Sequence, residues 1–152
     1  MTGVQTCALP ISAIDRTGGG VVFTARAENF LRGVADIEDA IRRLRAYAAA
    51  GADCLYAPGI KTREHIEAVV KAVAPKPMNF LNGGPFGFTV SDLAAMGVRR
   101  ISVGGSLARV AMHAFIHSAT EIAKDGKFDS FAGLISNPAL NEFFSEDRKK
   151  LS

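Results

Sequence analysis

The sequence is poor in cysteine, with only Cys7 and Cys54 in 152 residues. That excludes the disulfide framework of a small secreted domain and fits a reducing cytoplasm. No apolar run approaches the roughly 20 residues needed to span a bilayer, so no membrane partner is expected. Charge of one sign is not in marked excess: 18 basic residues face 15 acidic ones. The basic residues form no block beyond the terminal "DRKK" and do not interleave with aromatics. A nucleic-acid partner is therefore not expected. Hydrophobic residues make up 48% and charged residues 22%, the balance of a chain that buries an ordinary core.

The opening, "MTGVQTCALPIS", has neither helical nor alternating apolar period. It carries no basic flank and its apolar runs are too short for a signal peptide. Thr2 to Ile11 instead match the translation of a sequencing-library adapter, with Ser12 at the junction. Residues 1–12 are therefore expected to be non-native, and the remainder to be one part of a longer protein. That remainder divides by pattern into a region over 13–127 and a helical tail over 128–152.

From Ala13 onward the pattern is strand then helix, four times over. "AIDRTGGG" reads as a helix tail ending in glycines. "VVFTAR", "DCLYAP", "MNFL" and "RRISVG" read as short strands. Between them lie helical patterns. Asp36 is placed to cap Ile37, Ala40, Ile41, Leu44 and Ala48 at helical spacing, with Gly51 at the far end. Thr62 is placed to cap "REHIEAVVKAV", which Pro75 and Pro77 end, and Ser91 to cap "DLAAM", which Gly97 closes. A long helix is expected from Ser106 to Lys124. "AGADCLYAPG" and "MGVRRISVGG" echo one another as units of one repeat. Alternating strands and helices predict right-handed βαβ units and a parallel sheet. The fold class is α/β, and four βα units are half of a (β/α)8 TIM barrel, a truncated C-terminal half. A small flavodoxin-like open sheet is the other architecture, but the first strand lacks the glycine-rich phosphate loop that often follows it.

In both architectures, chemistry gathers beyond the carboxyl ends of the strands. Arg26 ends an apolar strand, where a bare charge is costly to bury. It reads either as a bidentate clamp on a carboxylate or phosphate, or as an ion-pair partner of Glu28. Glu28 reads as a base, a metal ligand or that partner. Asn79 is an amide inside an apolar strand. It needs partners, and reads either as an amide bound to a substrate oxygen or a metal-bound water, or as a satisfied structural amide. "GGSLAR" places Gly104, Gly105 and Ser106 at a helix start, either an anion site or a glycine turn with an ordinary cap. His113 and His117 share a helix face without the glutamate of a metalloprotease motif and read as ordinary histidines. Cys54 reads as buried packing.

Taken together, "VVFTARAENFL", "AGADCLYAPG", "KPMNFLNGG" and "LAAMGVRRISVGGSLARVA" resemble the isocitrate lyase/phosphoenolpyruvate mutase superfamily, in its uncharacterised bacterial branch. The resemblance runs from Ala13 to "LNEFF". It implies a (β/α)8 barrel, a small carboxylate or phosphonate substrate, and a homo-oligomer with an exchanged last helix. It also implies magnesium, and making or breaking of a C–C or P–C bond beside a carboxylate, through enolate-like intermediates. The family's carboxylate-binding arginine matches Arg26, the acid of the same motif Glu28, and its substrate-binding asparagine Asn79. A serine and an arginine after the last strand match Ser106 and Arg109, the latter with no role assigned. Two features depart from the pattern. Pro58 stands where several lyases carry a glutamate. The aspartates that hold magnesium and the loop with the catalytic cysteine are absent from this chain, so no metal ligand is assigned in it. The implied parent is a 2-methylisocitrate-lyase-like enzyme or a phosphonopyruvate- or oxaloacetate-acting relative. The remaining reading is a non-catalytic anion-binding α/β domain. On the first two, the chain alone is expected to turn over nothing, and the open strand edges near Val21 and Arg99 invite association.

Overall fold

A computed structural model describes residues 11–151 apart from 15, 17 and 19; the opening segment 1–10, with Cys7, lies outside the described residues. Residues 11–14 are helical, so the helix whose tail was expected from Ala13 also takes in Ile11 and Ser12. Four strands follow, β1 (Thr24–Arg26), β2 (Cys54–Tyr56), β3 (Met78–Leu81) and β4 (Arg100–Ser102). They alternate with α1 (Ile37–Ala49), α2 (Arg63–Val73) and α3 (Val90–Ala95).

All pairings are parallel and the strand order is β1-β2-β3-β4. This order decides between the two architectures. A flavodoxin-like sheet reverses direction at a switch point, whereas here each crossover moves one strand in the same sense. Right-handed crossovers that never reverse keep every connecting helix on one side of the sheet. The four strands are thus half of the eight that close a ring. Their connections are tight. The Asp53 carboxylate accepts from the Phe23 N–H at 2.8 Å, tying the entry of β1 to that of β2.

The helices form where apolar spacing and caps agree. Asp36 accepts from the Asp39 N–H at 3.0 Å and opens α1; Ala40, Ile41, Leu44 and Tyr47 turn inward from it. Gly51 follows the helix at φ +108°, a conformation glycine adopts freely. Thr62 accepts from the His65 N–H at 3.3 Å and opens α2, which buries Ile66, Val69 and Val73. These side chains pack on Ala25, Leu55, Met78 and Phe80 of the sheet. Cys54 is a free thiol, buried as its apolar setting implies.

The third cap differs from the sequence expectation. Thr89, not Ser91, is the cap of α3, and Ser91 is its second helical residue. Thr89 Oγ1 accepts from the Asp92 N–H at 3.1 Å, and Asp92 accepts from the Thr89 N–H at 2.8 Å, a reciprocal box. The reason is the glutamate-like reach of an acid three residues past the cap, which Thr89 has and Ser91 lacks. Gly97 then closes the turn at φ +91°, where a Cβ would stand 2.7 Å from Val70 Cγ1.

The chain divides between Ser106 and Leu107 into two compact units. The second holds most of α4 (Ser106–Asp125), a 3₁₀ turn at Asp129–Phe131, and α5 (Asn137–Leu151). Helix α4 buries none of its residues; Leu107, Val110, Phe115 and Ile116 are all exposed. The Glu121 carboxylate accepts from the Ser130 N–H at 3.1 Å and pins the 3₁₀ turn. No helix among the described residues is long and apolar enough to cross a membrane.

Two outcomes are expected. Thr89→Ala should cost about 1 kcal/mol in chemical denaturation, and Ser91→Ala only a few tenths. Because β1 and β4 are open edges, sedimentation velocity should show dimers or larger species, and a monodisperse, cooperatively melting monomer would count against this.

Candidate active site

Parallel register places residues of adjacent strands side by side, on the same face. Arg26 is level with Tyr56, Tyr56 with Asn79, and Asn79 with Arg100. One line of four polar or aromatic side chains therefore crosses the whole sheet. The alternating residues Ala25, Leu55, Met78 and Phe80 lie in the core with the helices. The polar line accordingly faces the opposite side, which a closed ring would enclose.

The contacts along the line are specific. The Arg26 guanidinium carbon lies 5.3 Å from the Tyr56 ring centroid, a cation–π contact. Its Nε pairs with Glu28 Oε1, and Glu28 Oε2 lies 3.7 Å from Arg32 Nε. The ion-pair reading of Arg26 is therefore present in the structure. It does not exhaust the residue, because 45% of the side chain stays exposed. A cavity of about 290 Å³ opens beside it, lined also by Glu28, Asn29, Asp39 and Tyr47. The 3₁₀ turn Asn29–Arg32 that directly follows Glu28 is anchored by the Asn29 amide, which donates to Asp36 O at 2.8 Å. Phe30 of this turn packs where Gly59 leaves room; a Cβ on Gly59 would stand 2.8 Å from Phe30 Cβ.

Asn79 is buried, with 1% exposure. Its Nδ2 donates to Ser102 Oγ at 2.9 Å, and its Oδ1 accepts from Arg100 Nη1 at 3.0 Å. Neighbouring side chains thus supply partners for both ends of the amide. Asn82, at the end of β3, carries a buried Oδ1 with no partner among the described residues. In the turn after β4, Ser106 Oγ donates to Gly83 O at 3.0 Å and its N–H to Val103 O at 3.1 Å. The single hydroxyl proton of Ser106 therefore ties the β3 loop to the start of α4. Gly104 stands at φ +55°, with room for a Cβ only 3.4 Å from Leu81, while Gly105 faces open space.

The structure brings Arg26 and Asn79 onto one sheet, Glu28 to the loop after its first strand, and Gly104, Gly105 and Ser106 beyond the end of its last strand. Sequence reasoning passed over Tyr56, Arg100 and Ser102. The signal for the last two was available: residues two apart in a strand share a face. His113 and His117 lie in the second unit, with ring centroids 6.5 Å apart. They line a separate cavity of about 520 Å³ with Glu121, Asp125 and Lys127.

Magnesium requires several oxygen ligands, normally carboxylates among them. The carboxylates near Arg26 are already engaged. Glu28 lies against Arg26 and Arg32, and Asp39 against Arg42 and Arg43. The hydrogen bond from Arg43 holds the Asp39 carboxyl below the usual carboxylate range; burial opposes this and the charges of Arg43 and Arg42 add to it. Among the described residues no group of three or more His, Cys, Asp or Glu is arranged to hold a metal. The described residues by themselves do not fit a magnesium cage.

A singly wound half-ring of four parallel strands, with an arginine-bearing polar line on its inner face, defines part of a (β/α)8 barrel. The phosphoenolpyruvate phosphomutase family model matches residues 4–123. The chain belongs to that family. It is 42% identical to a Burkholderia cenocepacia protein described as a lyase/mutase, whose crystal structure it matches with TM-score 0.85 over 93% of this chain and 51% of that one. It is 25% identical to a phosphonopyruvate hydrolase crystallised with oxalate and Mg2+, with TM-score 0.74 over 99% of this chain and 55% of the other. It is 34% identical over 92 residues to an oxaloacetate decarboxylase of Rhodopseudomonas palustris, covering 60% of this chain and 29% of that protein. The chain spans less than half the length of the curated relatives it matches.

The depressed Asp39 carboxyl gives a pH dependence with a definite sign. A lowered folded-state pKa contributes stability that is present above the unfolded value and lost as pH falls through the folded one. Stability should therefore decline as pH drops below about 3.8, the ordinary aspartate value. Asp39→Asn should flatten that decline in acid denaturation followed by circular dichroism.

Proposed function

We propose that this chain is the substrate-gripping wall, strands five to eight, of a magnesium-dependent lyase or mutase. The parent would act on a C–C or P–C bond beside a carboxylate, in the manner of a 2-methylisocitrate lyase. The observation that carries the reading is the line Arg26–Tyr56–Asn79–Arg100 on the inner face of the sheet. Arg26, at the carboxyl end of β1 and half exposed, offers two parallel N–H donors to a carboxylate. Tyr56 supports it from below by the cation–π contact. When a bond beside the carboxylate breaks heterolytically, the electron pair left on carbon spreads onto oxygen as an enolate. A fixed guanidinium opposes that charge as it forms. Asn79 contributes an amide to the same face, and the Gly104–Ser106 turn closes it beyond β4.

Magnesium belongs in this proposal to the parent protein, with its ligands outside this chain. A parent acting on oxaloacetate or phosphonopyruvate is the second reading, supported by the likeness to the decarboxylase and to the phosphonopyruvate hydrolase. Pro58, buried at the end of β2, favours a chemistry that does without the lyase glutamate. It is also compatible with a non-catalytic anion-binding α/β domain. The exposed apolar side chains of α4, with Phe143 and Phe144 of α5, support a parent oligomer in which the last helix packs on a neighbouring subunit. The free, buried Cys54 thiol supports a reducing cytoplasmic setting.

The test is oxalate binding to the 152-residue chain, followed by NMR titration. Saturable shifts are expected at the β1, β3 and β4 ends. Arg26→Met should weaken binding by about tenfold to a hundredfold, with no turnover of oxaloacetate by either protein. Equal oxalate affinity in the variant would remove Arg26 from the site.

A further inference from the structure

The direction of one hydrogen-bond chain follows from chemistry alone. Arginine carries five N–H donors and no acceptor. The Asn79 atom 3.0 Å from Arg100 Nη1 is therefore its carbonyl oxygen, and the amide cannot be turned over. Nδ2 must then face Ser102 Oγ, 2.9 Å away, and donate to it. Ser102 Oγ accepts from Asn79, so its own proton has to go elsewhere. Among the described residues nothing accepts it. The chain runs in one direction, from Arg100 through Asn79 to Ser102, and ends in an O–H donor.

Three further features bear on what that donor serves. Arg100 faces no carboxylate among the described residues, so its full charge stands at the head of the chain. A charge at one end polarises each bond after it and strengthens the terminal donor. Asn79, the middle member, is 1% exposed, which keeps water from competing for either bond. Ser102 is the last residue of β4 and half-buried, on the same face as the Arg26 line and one short turn from Gly104.

The geometry points to Arg100, Asn79 and Ser102 acting as a relay of fixed direction that presents the Ser102 hydroxyl proton to an anionic oxygen of the substrate. This rests on the proposed role of the inner face as the substrate wall. Ser102 is the member that touches substrate; Arg100 is a positioning residue that acts through Asn79. The relay also selects. A carboxylate, phosphonate or enolate oxygen accepts the proton, whereas an ammonium or amide N–H meets a donor and is repelled. Arg26 and the relay thus hold the same ligand from opposite edges of the sheet. The Arg26 guanidinium reaches over Tyr56 of β2, the Ser102 hydroxyl lies beside Asn79 of β3, and adjacent strands are only about 4.8 Å apart.

The experiment uses the 152-residue chain, with oxalate as probe and the Asn79 side-chain amide resonances as a second readout. Ser102→Ala should raise the oxalate dissociation constant about tenfold, and Ser102→Thr, which keeps the hydroxyl, should restore it. Arg100→Met should shift both Asn79 amide protons and weaken oxalate by a few-fold, and Arg100→Lys should recover much of each effect. Dispersed spectra of each variant show that it is folded. If Ser102→Ala binds oxalate as the wild type does while Arg26→Met does not, the relay has no role in binding and the inference fails alone. If the Asn79 resonances ignore Arg100→Met, the relay itself is refuted. If the wild-type chain binds no oxalate, the reading of the whole face fails and takes the relay with it.

Discussion

The parallel register of four short strands governs the rest of the molecule. Because Arg26, Tyr56, Asn79 and Arg100 fall level with one another, a single line of polar groups crosses a sheet whose other face is apolar. A slip of one residue in any pairing would invert that strand. On β3 it would turn Phe80 toward the polar line and carry Asn79 into the helix-facing core. The helices enforce the register by burying Leu55, Met78 and Phe80 almost completely. The apolar core thus fixes which side chains reach the inner face, although it contributes none of them.

Much of this was legible in the residues. Asp36 and Thr62 each precede a run of apolar positions at helical spacing, and both accept the backbone bond that a cap should. The alternation of strands and helices gave a parallel sheet, and the order of the strands agrees with a half-ring. Thr89 was less visible because two hydroxyl residues, Thr89 and Ser91, flank the same helix start. What separates them is Asp92, which lies three residues after Thr89 but next to Ser91. The spacing was there to be read, but a cap judged from the hydroxyl alone does not use it.

The site was legible in part, and for a physical reason. Arg26 and Asn79 stand out because each is polar within an apolar run. Arg100 and Ser102 stand out less, because "RRIS" reads as a charged approach to a strand; their spacing puts them on one face, and the register brings that face to Asn79. Ser106 illustrates the opposite case. Its position at a helix start suggests anion binding, yet its proton is committed to Gly83 O, 3.0 Å away across the gap between two loops. Sequence displays which groups are available; partners decide which of their donors remain free.

The contact between Arg26 and Tyr56 has a consequence for how the molecule can be observed. The chain has no tryptophan, two tyrosines and ten phenylalanines, and phenylalanine emits far more weakly than tyrosine, so Tyr47 and Tyr56 dominate its ultraviolet emission. Tyr56 lies under the guanidinium of Arg26, whereas Tyr47 sits in the helical layer of the core. Anything that draws the guanidinium away from that ring alters the electronic surroundings of one of the two tyrosine fluorophores. The protein carries, without any label, an optical gauge of where its principal cation is engaged.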